Sequence, residues 1–338
     1  TTGGIISMLY LGRQYGFDRG FDEYDDNSIP AATWYDALRD EPAPVVTKLA
    51  VEWLRRNKAS RFFLFLHFWD VHYDYVPPPP YDTMFDPEYQ GTVTGVNFYH
   101  NRAINQRMPA RDLQHVIALY DGEVRWVDDH IGEILRTVEE LGLADSTAII
   151  VTADHGDEFF EHGQKGHHKT LYREVLQVPL IMRIPGMAAG QVVDSPVSLV
   201  DVMPTVLDLA GASQLPTMDG VSLAPLIRGQ PSDLPRGVYA WLCNPRLGND
   251  CQAMRYAAAG TLIHRFQPMR VEFYGSDDPS ERRDLSRSDS WPRREELGVL
   301  QQELTEQRAS YRRDGARQAH VAIDKATRER LRQLGYGD

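Results

Sequence analysis

Only two cysteines, Cys243 and Cys251, occur in 338 residues, too few for a disulfide framework. Long apolar runs are missing as well: no stretch reaches the roughly 20 apolar residues that a membrane-spanning helix needs. Positive charge is in deficit, with 36 Lys and Arg against 48 Asp and Glu and a formal charge of −12. Such a surface repels phosphate backbones, and the basic residues are scattered until the tail, which argues against a nucleic-acid or membrane partner. An anionic substrate must then be held locally, by a metal or a few cations. The opening "TTGGIISMLYLGRQYG" carries no initiator Met and no basic segment followed by an apolar one. It reads as the middle of a domain, so an upstream segment is expected, and compartment and oligomeric state stay open.

What is present is a soluble globular composition, 42% hydrophobic, with enough chain for a substantial core. "GIISMLYLG" reads as a short strand and "GFDRGFDEYDD" as a polar loop. From Pro44 to Asn57 apolar residues recur at helical spacing, and "RFFLFLHF" follows as a buried strand. The next segment, "DVHYDYVPPPPYDTMFDPEYQG", is expected to lack regular structure because of its prolines. Between Leu113 and Leu141 steps of three and four predict a long helix closed by Gly142, and "STAIIVT" is the strand after it. "VPLIMRIPG" reads as a further strand and "SLVDVMPTVLDLAG" as a helix closed by Gly211. Beyond Gly229 four short strands, "GVYAWL", "MRYAAAG", "TLIHRFQ" and "RVEFYG", precede a charged amphipathic tail. These elements predict an α/β fold with a central, mostly parallel mixed sheet between helices, and a small C-terminal antiparallel sheet plus helix. The expected division is 1–229 and 230–338.

The densest chemistry lies in "VTADHGDEFFEHGQKGHHKTLY", Val151 to Tyr172, at the expected carboxyl end of a parallel strand, where open α/β sheets place their ligands. Adjacent Asp154 and His155 can offer an oxygen and an imidazole nitrogen to one divalent cation, with Gly156 letting the chain turn behind them. The plain alternative makes Asp154 a helix cap and the histidines surface residues. His162, His167 and His168 weigh against it, because a solvated loop has no need of them. His72 stands on the loop after a second strand, where it could act as proton donor to a leaving group or as a clamp on an anion. His67, inside that strand, reads as a satisfied core histidine.

In order along the chain, "GFDRGFDEY", "FFLFLHFWDVHYDYVPP", "LYDGEVRWVDDHIGEIL", "VTADHGDEFFEHG", "KTLYREVLQVPLIMRIPG", "SLVDVMPTVLDLAG", "DGVSLAPLIRG" and "EFYGSDDPSERRDL" resemble the sulfatase family of the alkaline phosphatase superfamily. The resemblance runs from Thr1 to about Leu285. It implies one divalent cation, usually calcium, with magnesium or manganese as alternatives. Asp154 and His155 fall where the family has two metal ligands, and His72 matches the histidine that contacts the sulfate near its leaving oxygen. The family's later cation lies four residues before the aromatic of "KTLY", which gives His168, with His167, Lys169 and Lys165 as neighbouring candidates for holding the anion.

Two departures accompany the match. The family's paired acidic ligands and its Cys-x-Pro-x-Arg or Ser-x-Pro-x-Arg motif, source of the formylglycine nucleophile, do not occur in these residues; both are expected upstream of residue 1. "CNPRL" at Cys243 puts Arg246 one position early and leaves Cys243 an ordinary thiol. Val71 replaces the usual proline before the histidine. The implied activity is hydrolysis of small-molecule or saccharide sulfate esters by the full-length protein, this chain alone being expected inactive. The alternatives are a phosphonate monoester or phosphodiester hydrolase of the same superfamily, and a non-catalytic scaffold that retains the fold.

Overall fold

The structure, a computed structural model, describes residues 1–26, 42–215, 218–230, 237–244, 250–257, 260–266 and 269–288, with Gly298, Gln302, Thr305 and Glu306. They group into two compact units, one running from Thr1 to Thr147 and one that starts at Ala148.

In the first unit, strand β1 (Thr2–Ile5) is central, with β2 (Glu23–Asp25) on one side and β3 (Phe63–Leu66) on the other, both parallel to it. Helix α1 (Ala43–Asn57) places Val46, Ala50, Trp53 and Leu54 on one buried face, as its spacing predicts. A one-turn helix α2 (Tyr81–Met84) precedes the long helix α3 (Ala110–Glu140), which packs against both α1 and α2. The buried stripe of α3 includes Val116, Leu119, Val127, Ile134 and Val138. Burying one such side chain contributes roughly 1.5–3 kcal/mol, against a few tenths from a choice of helix former, so packing holds this helix in place. Its end is chemically marked. Gly142 takes φ 69, its N–H donates to Glu139 O at 2.9 Å, and Leu143 N–H donates to Val138 O at 3.0 Å, so two otherwise orphaned carbonyls are satisfied.

In the second unit β4 (Ile149–Thr152) is followed by β5 (Glu158–Phe159) and β6 (Lys165–Gly166), two-residue strands that pair with each other antiparallel. After the short helix α4 (Arg173–Leu176), strand β7 (Leu180–Arg183) returns to pair with β4. Helix α5 (Val202–Leu209) ends at Gly211, and α6 (Ala224–Ile227) leads to four antiparallel strands in the order β11-β10-β9-β8. These are β8 (Val238–Asn244), β9 (Asp250–Ala257), β10 (Gly260–Phe266) and β11 (Met269–Gly275). Successive residues of β10 serve opposite faces. Leu262 packs with Phe273, while Ile263 joins Met254 and Tyr274 in a cluster that also buries Leu171 and Tyr172. The C-terminal sheet thus anchors the far end of the Val151–Tyr172 stretch.

Three local readings are corrected. "GFDRGFDEYDD" contains strand β2, secured by Tyr24, whose hydroxyl donates to Leu11 O at 2.5 Å and whose ring meets Phe21. The proline-rich segment holds one helical turn, started by Tyr81 N–H donating to Pro78 O at 2.8 Å. Strand β4 is paired antiparallel among the described residues, through Val151 and Ile181. The charged tail expected after β11 lies largely outside the described residues.

Candidate active site

Strand β4 delivers the chain to the site, and Thr152 fixes its end by donating from Oγ1 to Pro179 O at 2.8 Å. Asp154 comes next, with 79% of its side chain exposed and its Oδ1 accepting the His155 N–H at 3.0 Å. His155 Nδ1 lies 3.1 Å from Gly156 O. A carbonyl only accepts, so Nδ1 carries a proton and Nε2 is the ring nitrogen left to serve a ligand. That Nε2 is 3.7 Å from Asp154 Oδ2. An oxygen and an imidazole nitrogen therefore converge, and this donor pair fits a single divalent cation.

Gly156 serves a purpose other than the sharp turn expected of it. A β-carbon there would stand 2.2 Å from Glu174 O, and the Gly156 N–H donates to Val175 O at 2.8 Å. Only a residue without a side chain lets α4 approach this closely. No helix follows Asp154; the chain enters β5 instead.

Asp157 has no assignment in the sequence reading, yet it is central here. It is buried, its Oδ1 accepts from His167 Nδ1 at 2.7 Å, and ligand-capable atoms of His155, Asp157 and His167 all lie within 4.8 Å of one another. The His155 and His167 rings are 3.9 Å apart, as are those of His167 and His168. Burial, with His155 adding to it, pushes the His167 imidazole down to about 3; burial, with His167 and His155 adding to it, pushes His168 down to about 3. Both rings are neutral near pH 7, so they supply hydrogen bonds or ligand atoms rather than fixed charge. The cation at this point is lysine: burial, reinforced by Lys169, lowers Lys165 to about 8, still protonated at neutral pH. His168 also takes φ 79, a left-handed backbone uncommon outside glycine.

A second carboxylate supports the segment from beneath. Glu158 is fully buried and accepts from His162 N at 2.9 Å, Gln164 N at 2.7 Å and Thr170 Oγ1 at 2.9 Å. Its signal in the sequence was only its place beside Asp157.

His72 belongs to the first unit, on the loop after β3. Its ring stacks on Trp69 at 3.9 Å and 21°, and its Nδ1 lies 2.6 Å from Tyr73 O, to which it donates. Val71 before it has φ 78, an angle closed to the proline that the family commonly has there. His67 is integrated in the strand framework: its N–H donates to Ile5 O at 2.9 Å, and Ser7 Oγ donates to its carbonyl at 2.8 Å.

The end of β4 on this α/β fold thus gathers an Asp-His pair, a buried Asp-His dyad and a desolvated lysine. A sequence model of the sulfatase family matches residues 4–212, and one described as N-sulphoglucosamine sulphohydrolase, C-terminal, matches 161–309; the chain belongs to the sulfatase family. It is 28% identical over 206 residues to arylsulfatase K of Canis lupus familiaris, covering 53% of this chain and 38% of that protein. It spans between 29% and 46% of the length of several curated relatives. Among solved structures it is similar to BT4656 in complex with D-glucosamine-2-N,6-O-disulfate, with a TM-score of 0.70, 20% identity, and coverage of 92% of this chain and 80% of that one. It is also similar to the phosphonate monoester hydrolase SpPMH from Silicibacter pomeroyi, with a TM-score of 0.65, 22% identity and coverage of 95% and 72%. At these identities the two structures establish the fold. No helix among the described residues is long and apolar enough to cross a membrane.

Proposed function

We propose that the full-length protein hydrolyses sulfate esters, with a sulfated saccharide as the substrate class. The observation that carries this reading is the cluster at the end of β4: converging Asp154 and His155, the Asp157–His167 dyad, and Lys165. Asp154 and His155 would hold a divalent cation, calcium by family likeness, which supplies neutralisation of charge on the sulfate oxygens. Lys165 and Lys169 add positive charge beside it, and His167 and His168 orient the remaining oxygens by hydrogen bonds. Asp157 keeps the His167 ring in one tautomer. His72 is assigned the proton transfer to the departing alcohol, which requires its Nε2 to be protonated. The nucleophile, a formylglycine by family likeness, is not among these residues. The saccharide assignment draws on the N-sulphoglucosamine sulphohydrolase match and on the disulfated glucosamine held by BT4656.

A second reading, phosphonate monoester hydrolysis, is favoured by the similarity to SpPMH over 95% of this chain. Both substrates present a tetrahedral anion, so the same donors serve either one. Turnover of 4-nitrophenyl sulfate, a phosphate diester and a phenylphosphonate monoester by the full-length protein separates them. Sulfate is expected to give the highest kcat/KM; a higher value for the phosphonate would replace the first reading by the second.

A further inference from the structure

His162 is absent from the site just described, yet its ring is fixed at both ends. Nδ1 lies 2.6 Å from Glu174 Oε1, and Nε2 lies 2.8 Å from the backbone oxygen of Glu281. The ring also stacks on Tyr172 at 3.6 Å and 12°, and only 10% of its side chain is exposed. The carbonyl can only accept, so Nε2 carries a proton. An ionised carboxylate can only accept too, so Nδ1 carries the other. The geometry therefore asks for an imidazolium.

The partners explain what this charge would do. Glu174 lies on α4 and Glu281 follows β11. Glu281 is 4% exposed and its carboxylate also accepts the Arg173 N–H at 2.8 Å, while Tyr172 donates from its hydroxyl to Glu272 on β11 at 2.8 Å. Between these anchors runs a segment with very little regular structure: two paired residues in each of β5 and β6, and left-handed backbone at Phe160, Gly163, Gly166 and His168. At Phe160 and His168, which are not glycine, such a backbone persists only where the surroundings over-determine it.

We propose that His162 is a positioning residue, a clasp that joins Glu174 to Glu281 and so holds the segment bearing Lys165, His167, His168 and Lys169 in its anion-binding arrangement. The proposal rests on the sulfate-binding reading for its purpose, though not for its geometry. The groups facing the ring are Glu174 from α4, Glu158 from β5 with Glu161 beside it, Glu281 after β11, and the face of Tyr172. Burial opposes the charge on His162, but Glu174, the Glu281 carbonyl and Glu158 outweigh it and raise the imidazole above its ordinary value. The clasp is thus complete below the unfolded histidine value of about 6.5 and is lost as pH rises through the raised value.

Histidine-labelled full-length protein tests this by ring nitrogen NMR. The His162 ring is expected to be doubly protonated at pH 7. Glu174→Gln keeps an acceptor oxygen and removes the charge, so the midpoint of titration should fall by about one pH unit. His162→Gln should speed amide exchange in residues 158–170 by about tenfold, leave α3 unchanged, and raise KM for 4-nitrophenyl sulfate about tenfold with kcat within about twofold. A ring that is neutral at pH 7, a midpoint that E174Q does not move, or unaltered exchange would overturn the clasp. If H162Q does not fold, the NMR midpoints of the wild type and E174Q still decide. If the wild type turns over no sulfate ester while the ring is protonated and exchange responds, the clasp stands and the sulfatase reading fails alone.

Discussion

Helix α3 and the stretch from Ala153 to Tyr172 are held in place by opposite means. The helix has 31 residues, one continuous ladder of backbone hydrogen bonds and an apolar stripe buried against its neighbours. The site stretch has one short strand pair and four left-handed residues, and its order comes from buried carboxylates: Glu158, which collects three donors, and Asp157, which holds His167. Apolar packing is non-directional and tolerates small shifts, whereas a buried polar pair is worth having only at the right distance. The difference fits the tasks: α3 supplies a packed framework, and the site stretch fixes individual polar groups by hydrogen bonds.

That contrast can be broken by substitution. The largest effect is expected from Glu158→Ala, which leaves the His162 and Gln164 amides and the Thr170 hydroxyl without their acceptor. At about 1–3 kcal/mol for each buried group, a loss on the order of 3–5 kcal/mol should appear in urea denaturation, together with loss of turnover. Leu54→Ala, in the buried face of α1, should cost about 3 kcal/mol by the same measurement, while kcat/KM per folded molecule stays unchanged. If L54A damaged catalysis as much as E158A, the separation between scaffold and site would be wrong. A smaller effect follows from Lys165, whose ammonium burial and Lys169 hold at about 8. It is charged below that value and neutral above it, so affinity for a sulfate ester should decline as pH rises through about 8. Lys165→Gln should weaken binding about tenfold at pH 7 and abolish that pH dependence; a KM profile identical to the wild type would remove Lys165 from the anion site.

Much of the scaffold was legible because its causes are local. Steps of three and four marked α1 and α3, Gly142 and Gly211 marked where helices stop, and short runs separated by turns marked the four strands of the C-terminal sheet. Strand β2 escaped notice because three residues, Glu23, Tyr24 and Asp25, are too few to show a period, and their pairing is decided by β1. The pairing of β4 with β7 was equally hidden, since an isolated apolar run does not reveal the direction of its neighbour.

The site was legible in composition and less so in roles. Asp154 and His155 stood out as adjacent ligands, and the cluster at 165–169 as a source of protons and charge. Asp157, Glu158 and His162 sit in the same stretch, yet nothing in their spacing distinguishes a carboxylate that orients a histidine from one exposed to water. Their partners, His167, Thr170, Glu174 and Glu281, are brought to them only by the folded chain. Conversely, His168 carries the family's position for a cation, while its burial makes it a neutral ring and leaves the charge to the lysines.

The claim on which the rest depends is that Asp154 and His155 grip one divalent cation between them. Calorimetric titration of calcium into metal-stripped full-length protein, beside Asp154→Ala and His155→Ala, addresses it directly. The account predicts one site in the wild type and an affinity reduced at least about tenfold in each variant, with helix content preserved. Equal affinity in all three proteins would contradict it.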